Sequence, residues 1–294
     1  MNKQVKILLQ TTIPHTDDDW HIGRFSLLTE HLRSLKDANG DPLYDVTARN
    51  REEDGEGIDP VLSKLDESDF DQLWLFALDM GDGLSKTDCE GITKFRQRGG
   101  GLLTTRDHND MGCSLCTLGG IGAAHFFHSK QTDPDDSRNC RDDDKTLNVD
   151  WPNYHSGANG DFQRINATDH PLLRRADGSL IEFLPAHPHE GAVGVPNDAR
   201  GASVIATSTS KVTGRDFNLL VAFDRTEDSH GNLYGRGIAE SSFHHLVDYN
   251  WNIDLECPTF VEEAPGDEWK RFPERLDDVK RYVENAGAWL SKGG

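Results

Sequence analysis

A short apolar strand that runs straight into a polar loop constrains this chain more than any other segment. In the stretch Gly99-Gly100-Gly101-Leu102-Leu103-Thr104-Thr105-Arg106-Asp107-His108, the glycines let the backbone enter a sheet tightly, and Leu102 and Leu103 begin a strand buried on both faces. The strand stops at Arg106, Asp107, His108, Asn109 and Asp110. Polar side chains at the carboxyl end of a central strand stand where open α/β sheets bind their ligands. A solvated turn uses the same residue types, so the segment nominates a site without proving one.

The remaining chain repeats the theme. Residues 5–10 predict a first strand, and Phe25, Leu28, Leu32 and Leu35 recur at helical spacing behind it. A second strand is expected over 44–47, a short helix over 60–65 and a third strand over 71–78, ending in the turn-rich Asp79-Met80-Gly81-Asp82-Gly83. A helix over 85–98 carries Ile92 and Phe95, with Ser85 as its cap and Gly99 as its stop. Strands alternating with helices at short spacing need crossover connections, so the fold class is α/β with a doubly wound, mostly parallel sheet and helices on both faces.

Between about 129 and 176 the pattern gives way to Asp, Asn, Gly and Pro. Insertions of this length are usually lids or disordered segments. Its Trp151, Tyr154, His155 and Phe162 favour an ordered excursion. Strand patterns return at 180–184, 202–207, 218–223 and 237–241, and a helix over 273–290 lines up Leu276, Val279, Val283, Ala286 and Leu290 on one stripe. We therefore expect a single domain over 1–294 with a loop-rich insertion.

Composition excludes several classes of function. A formal charge of −20, from 51 acidic and 31 basic residues, repels phosphate backbones and anionic headgroups. Neither nucleic acid nor a membrane surface is an expected partner. No run approaches the roughly 18 apolar residues of a membrane span, and Met1-Asn2-Lys3-Gln4 leads into a strand without a signal-peptide core, which predicts a cytoplasmic protein. The sequence is compatible with a homo-oligomer. Five cysteines, an odd number, imply no disulfide framework. Cys113 and Cys116 have redox or zinc spacing, but no second CxxC accompanies them, and burial is the expected role.

Besides Arg106-Asp107-His108, other clusters follow predicted strands with metal-binding or proton-transfer residue types. One is Pro14-His15-Thr16-Asp17-Asp18-Asp19-Trp20-His21, whose carboxylates could instead cap the first helix. Another is Pro185-Ala186-His187-Pro188-His189-Glu190-Gly191, where alternate histidines on an extended segment point to opposite faces unless the chain turns. The last is Ser241-Ser242-Phe243-His244-His245. Imidazole and carboxylate together bind Zn²⁺ or a related divalent metal, or divide into general acid and base. The candidate catalytic set is Asp107, His108, His187, His189, Glu190 and His244; the candidate ligand-binding residues are His15, Asp18 and His21 at the rim, and Arg106 as a fork-shaped donor for a carboxylate or phosphate unless it pairs with Asp107. HExxH, the P-loop and the dinucleotide glycine fingerprint do not occur in the sequence.

The segments GGGLLTTRDH and LCTLGGIGAAHFFH, with His15, Asp17 and Asp18 after the first strand, Asp169-His170-Pro171-Leu172, and Gly235-Arg236-Gly237 leading to His244, resemble the ThuA-like (trehalose utilization) branch of the class I glutamine amidotransferase-like superfamily. The resemblance implies a flavodoxin-like sheet and a site at its carboxyl edge. Glutamine amidotransferases of this kind carry a Cys nucleophile at the strand-to-helix elbow; here that elbow is Thr105-Arg106-Asp107. Cys-dependent glutaminase chemistry is therefore not expected. Two functions remain open: a hydrolase or lyase-type enzyme acting on a small polar, carbohydrate-derived metabolite, or a non-catalytic protein that binds a small ligand or serves as a scaffold.

Overall fold

The computed structural model describes residues 4–78, 81–138, 142, 149–197, 199–227, 231 and 233–291. The central sheet has eight strands. They are β1 (Val5–Thr11), β2 (Tyr44–Arg49), β3 (Gln72–Phe76), β4 (Gly101–Thr105), β5 (Asn166–Ala167), β6 (Ala202–Thr209), β7 (Asp216–Phe223) and β8 (Gly237–Glu240). Their order is β2-β1-β3-β4-β8-β7-β6-β5. Neighbours from β2 to β8 are parallel, and β7, β6 and β5 complete the sheet antiparallel. The parallel part has the flavodoxin-like order, so the expected doubly wound α/β fold is the one found. Its antiparallel edge follows from residues 210–215, too few to make a crossover between β6 and β7. The expected strand over 180–184 forms as Phe183–Pro185 and pairs with Phe162–Arg164, outside the central sheet.

Side chains alternate across each strand, and both faces are covered. Leu73 and Leu75 of β3 join Ile92 and Phe95 of α2 (Lys86–Gln97) on one face. Trp74 and Phe76 join Leu28 and Leu32 of α1 (Ser26–Ser34) and Val279 and Val283 of α3 (Leu276–Trp289) on the other. This burial on two sides explains why the parallel strands read as continuous apolar runs. Helix α2 begins in the expected way, with Ser85 and Asp88 forming a reciprocal capping box, and Gly99 at φ +90° ends the segment. In the turn after β3, Asp79 and Met80 lie outside the described residues.

Helix α1 lacks a local side-chain cap. Asp248 supplies one from far along the chain: its Oδ2 accepts from Ser26 N at 3.0 Å and Ser26 Oγ at 2.7 Å, and its Oδ1 accepts from Leu27 N at 2.8 Å. A carboxylate at a helix N-terminus satisfies orphan amides and complements the dipole. Asp248 starts a one-turn helix, Asp248–Trp251, shortly after β8, so the cap bolts the end of β8 to α1. We expect Asp248→Ala to destabilise the protein by about 1–2 kcal/mol in urea titrations, in the range of lost helix caps.

Candidate functional site

The pairing of β4 with β8 places Thr105 opposite Glu240. The chain leaving β4 carries Asp107 and His108; the chain leaving β8 carries His244 and His245 in the turn Phe243–His245. Residues 186–191 form a third arm. Gly191 lets that arm lie against the other two, since a Cβ there would sit 2.2 Å from Asp107 O and 2.3 Å from Arg106 Nε, and its N–H donates to Ser241 O at 2.9 Å.

A cavity of about 350 Å³ opens where the arms meet. Asp107, His187 and His244, all buried, each offer a donor atom to it, and these atoms lie within 4.8 Å of one another. His187 Nδ1 is 3.4 Å from Asp107 Oδ1, and His244 Nε2 is 3.5 Å from Asp107 Oδ2. The two imidazoles stack with centroids 3.6 Å apart and planes at 12°. His189 also lines the cavity, because the chain turns at Pro188-His189 and does not run extended; its ring stands 5.6 Å from that of His187. Its Nε2 is 3.0 Å from Glu263 Oε1, and its Nδ1 is 3.4 Å from Asn153 Oδ1. His108 completes the group, 5.3 Å from the His189 ring.

The electrostatics favour neutral His108 and His187 beside a charged Asp107. Burial, reinforced by the neighbouring His244, His189 and His108, holds His187 well below the usual histidine range. Burial pushes His108 down to about 4 against the opposing pull of Asp107. For Asp107 burial alone works upward, but His108 and His244 prevail and hold its carboxyl below the ordinary value. Unprotonated nitrogen lone pairs and a carboxylate are what a divalent metal requires of its ligands.

Other candidate residues lie elsewhere. Glu190 is fully buried behind the cavity and does not line it. Its Oε1 accepts from Ser156 Oγ at 2.9 Å and Gln163 Nε2 at 2.6 Å, its Oε2 accepts from Ser241 Oγ at 2.6 Å, and His245 Nε2 lies 3.2 Å from Oε1. Burial opposes charge on His245, but Glu190 and Glu240 prevail and push it up to about 10. Arg106 is turned inward, donating to Asp107 O at 2.6 Å and Asn109 O at 2.8 Å beneath the elbow, with its guanidinium 4.3 Å from the centre of the Phe127 ring.

In the first loop the structure turns Asp19 and Trp20 into the cavity, while His15, Asp18 and His21 stay out of it. His15 pairs with Asp17 at 3.2 Å, and His21 Nδ1 caps the following turn by accepting from Gly23 N at 3.1 Å. Asp18 accepts from Thr259 N at 2.8 Å and from Thr259 Oγ1. It thereby tethers the segment whose Phe260, Val261 and Glu263 form the opposite wall. Trp20 packs edge-on against His244 at 4.8 Å. Asp19 and Trp20 sit inside a loop already singled out by its charge, whereas no pattern near Glu263 marks it as a site residue. The insertion contributes Val149 and Asn159 to the lining.

Cys89, Cys113 and Cys116 occupy a different region. Cys113 donates to Asp82 Oδ1 at 3.2 Å, and burial together with that carboxylate pushes its thiol up to about 11. Burial likewise raises Cys89 and Cys116. Cys140 lies outside the described residues. A larger cavity, about 580 Å³, runs along α2 beside Asp82, Cys89 and Lys130, and none of the site histidines lines it.

Two solved structures share this fold over nearly their whole lengths. A protein described as ThuA-like from Bacteroides uniformis ATCC 8492 superposes with a TM-score of 0.52 at 14% identity, covering 100% of this chain and 96% of that one. Another, described in the same way, from Parabacteroides merdae ATCC 43184, gives a TM-score of 0.50 at 17% identity, with 99% and 91% covered. At such identities the likeness is one of fold, and it is the fold that the sequence resemblance implied. The sequence matches no family model and no curated protein.

The buried histidines give stability a definite dependence on pH. In metal-free protein His108 and His187 stay neutral when folded, but in the unfolded chain they bind protons below their ordinary value of 6.5. Their contribution is intact above about pH 6.5 and is lost progressively as pH falls below it, down to about 4 for His108. His245 acts in the opposite sense, contributing fully below about pH 6.5 and losing its contribution as pH rises through about 10. Urea titrations of chelator-treated protein should show the acid-side loss, and His108→Gln should make it shallower.

Proposed function

We propose that this chain is an enzyme of the ThuA-like branch, hydrolase or lyase in type, that acts on a small polar, carbohydrate-derived metabolite through a divalent metal such as zinc held by Asp107, His187 and His244. The observation that carries the proposal is the convergence of those buried donors, within 4.8 Å of one another, in a cavity of small-molecule size. Bound there, the metal would supply Lewis-acid polarisation of a substrate oxygen.

The chain's own residues take the other roles. His189, hydrogen-bonded to Glu263, is placed to hold and pass a proton at its ring nitrogen, with the carboxylate orienting the imidazole. Asp19 and Glu263 offer acceptors for hydroxyl groups, while Trp20, Leu78, Met111 and Phe260 give the cavity an apolar side that excludes water. A polyhydroxylated molecule presents both kinds of surface. Burial keeps Cys89, Cys113 and Cys116 in the thiol form, which speaks against any of these three as the nucleophile of glutamine hydrolysis, since only the ionised form is an effective nucleophile. Among the described residues no helix is long and apolar enough to cross a membrane, and a cytoplasmic setting is part of the proposal.

Elemental analysis of protein purified without a histidine tag tests the metal directly, and stoichiometric zinc or a related ion is expected. His187→Ala and His244→Ala should keep the fold by circular dichroism yet lose both the metal and turnover against a panel of sugar and sugar-acid derivatives. Cys113→Ser and Cys116→Ser should keep both at a stability loss of about 1 kcal/mol. Metal-free, unreactive wild-type protein that still binds a member of the panel would make the chain a ligand-binding protein instead.

A further inference from the structure

Behind the cavity, a buried chain of polar groups joins the arm that bears His187 to the arm that bears His244. His245 follows His244 directly and has a carboxylate oxygen at each ring nitrogen: Glu190 Oε1 is 3.2 Å from Nε2, and Glu240 Oε2 is 3.3 Å from Nδ1. Glu240 is the last residue of β8 and also accepts from Tyr282 Oη on α3. Glu190 belongs to the opposing arm. It receives Ser156 Oγ at 2.9 Å, and Ser156 in turn accepts from His187 N at 2.8 Å and lies 3.0 Å from His187 O. Ser156, Glu190, His245, Glu240 and Tyr282 are all buried.

We propose that His245 is a positioning residue for the metal ligands, its link to Glu190 setting the separation at which His187 and His244 stack. The proposal rests on the metal reading of Asp107, His187 and His244. The geometry assigns separate duties to the two nitrogens. The Nδ1 contact to Glu240 stays within the chain segment that carries His244, so it cannot set a distance between the arms. The Nε2 contact to Glu190 crosses from one arm to the other. Such a partner behind the ligands controls affinity by fixing ring orientation and spacing, and losing one typically weakens metal binding by about 10–100-fold.

Asn and Gln separate the two contacts, because an Asn amide reaches roughly where Nδ1 lies and a Gln amide where Nε2 lies. Full-length His245→Asn and His245→Gln would be titrated with Co²⁺, followed by its visible absorption, below the melting temperature of both. We expect His245→Asn to bind about 10–100-fold more weakly than wild type, and His245→Gln to stay close to wild type, although both lose thermal stability. Equal loss in the two variants, or none in either, would overturn the positioning role while leaving the metal site standing. If wild type itself binds no Co²⁺, the metal reading fails, and metal-free crystal structures decide: His187 and His244 still stacked in His245→Asn would refute the positioning role, and separated rings would support it. Should His245→Asn not fold, Glu190→Gln weakens the same contact from its other side. It should weaken Co²⁺ binding to a similar extent, and unchanged affinity would overturn the proposal.

Discussion

Everything at the candidate site depends on the parallel pairing of β4 with β8. These strands are far apart in sequence and separated by the whole insertion and the β6–β7 hairpin, yet they lie side by side with Thr105 opposite Glu240. Parallel neighbours send their chains out at the same edge, so Asp107 and His244 emerge together. The third member of the cluster, His187, is brought in by an arm that fits only because residue 191 has no side chain.

Charge is distributed in two tiers around this edge. At the cavity, crowding among imidazoles and burial keep His187 and His108 neutral next to Asp107. One layer deeper, His245 is pushed up to about 10 between Glu190 and Glu240. The same residue type thus serves as a neutral donor in one tier and as a cation balancing buried carboxylates in the next. What separates the two behaviours is the number of carboxylates each ring meets, since burial is common to both.

Much of the architecture was legible in the sequence because it rests on local signals. Apolar runs bounded by turns located β1, β3, β4 and β7, and the Ser85 cap and Gly99 stop located α2. Of the residues nominated for the site, Asp107, His108, His187, His189 and His244 line one cavity. Others were obscured for physical reasons. A turn at Pro188 overrides the alternation expected of an extended segment, which no propensity at His187 or His189 announces. Glu190 is saturated by donors drawn from distant segments, and Asp18 holds Thr259 from more than two hundred residues away. Glu263 reaches the cavity from the segment that this tether holds. Each depends on a tertiary contact between segments whose own composition is unremarkable.

The strand order also has a consequence for how the chain is made. Because β8 is the last strand synthesised and fills the slot between β4 and β7, a nascent chain that has already emitted β1 to β4 carries the open backbone edge of β4 until residues 237–240 leave the ribosome. An apolar strand with unpaired amides and carbonyls is a template for pairing with another chain. Translation of the intervening stretch is therefore an interval in which this edge stays open to other chains, and slow elongation there would prolong it.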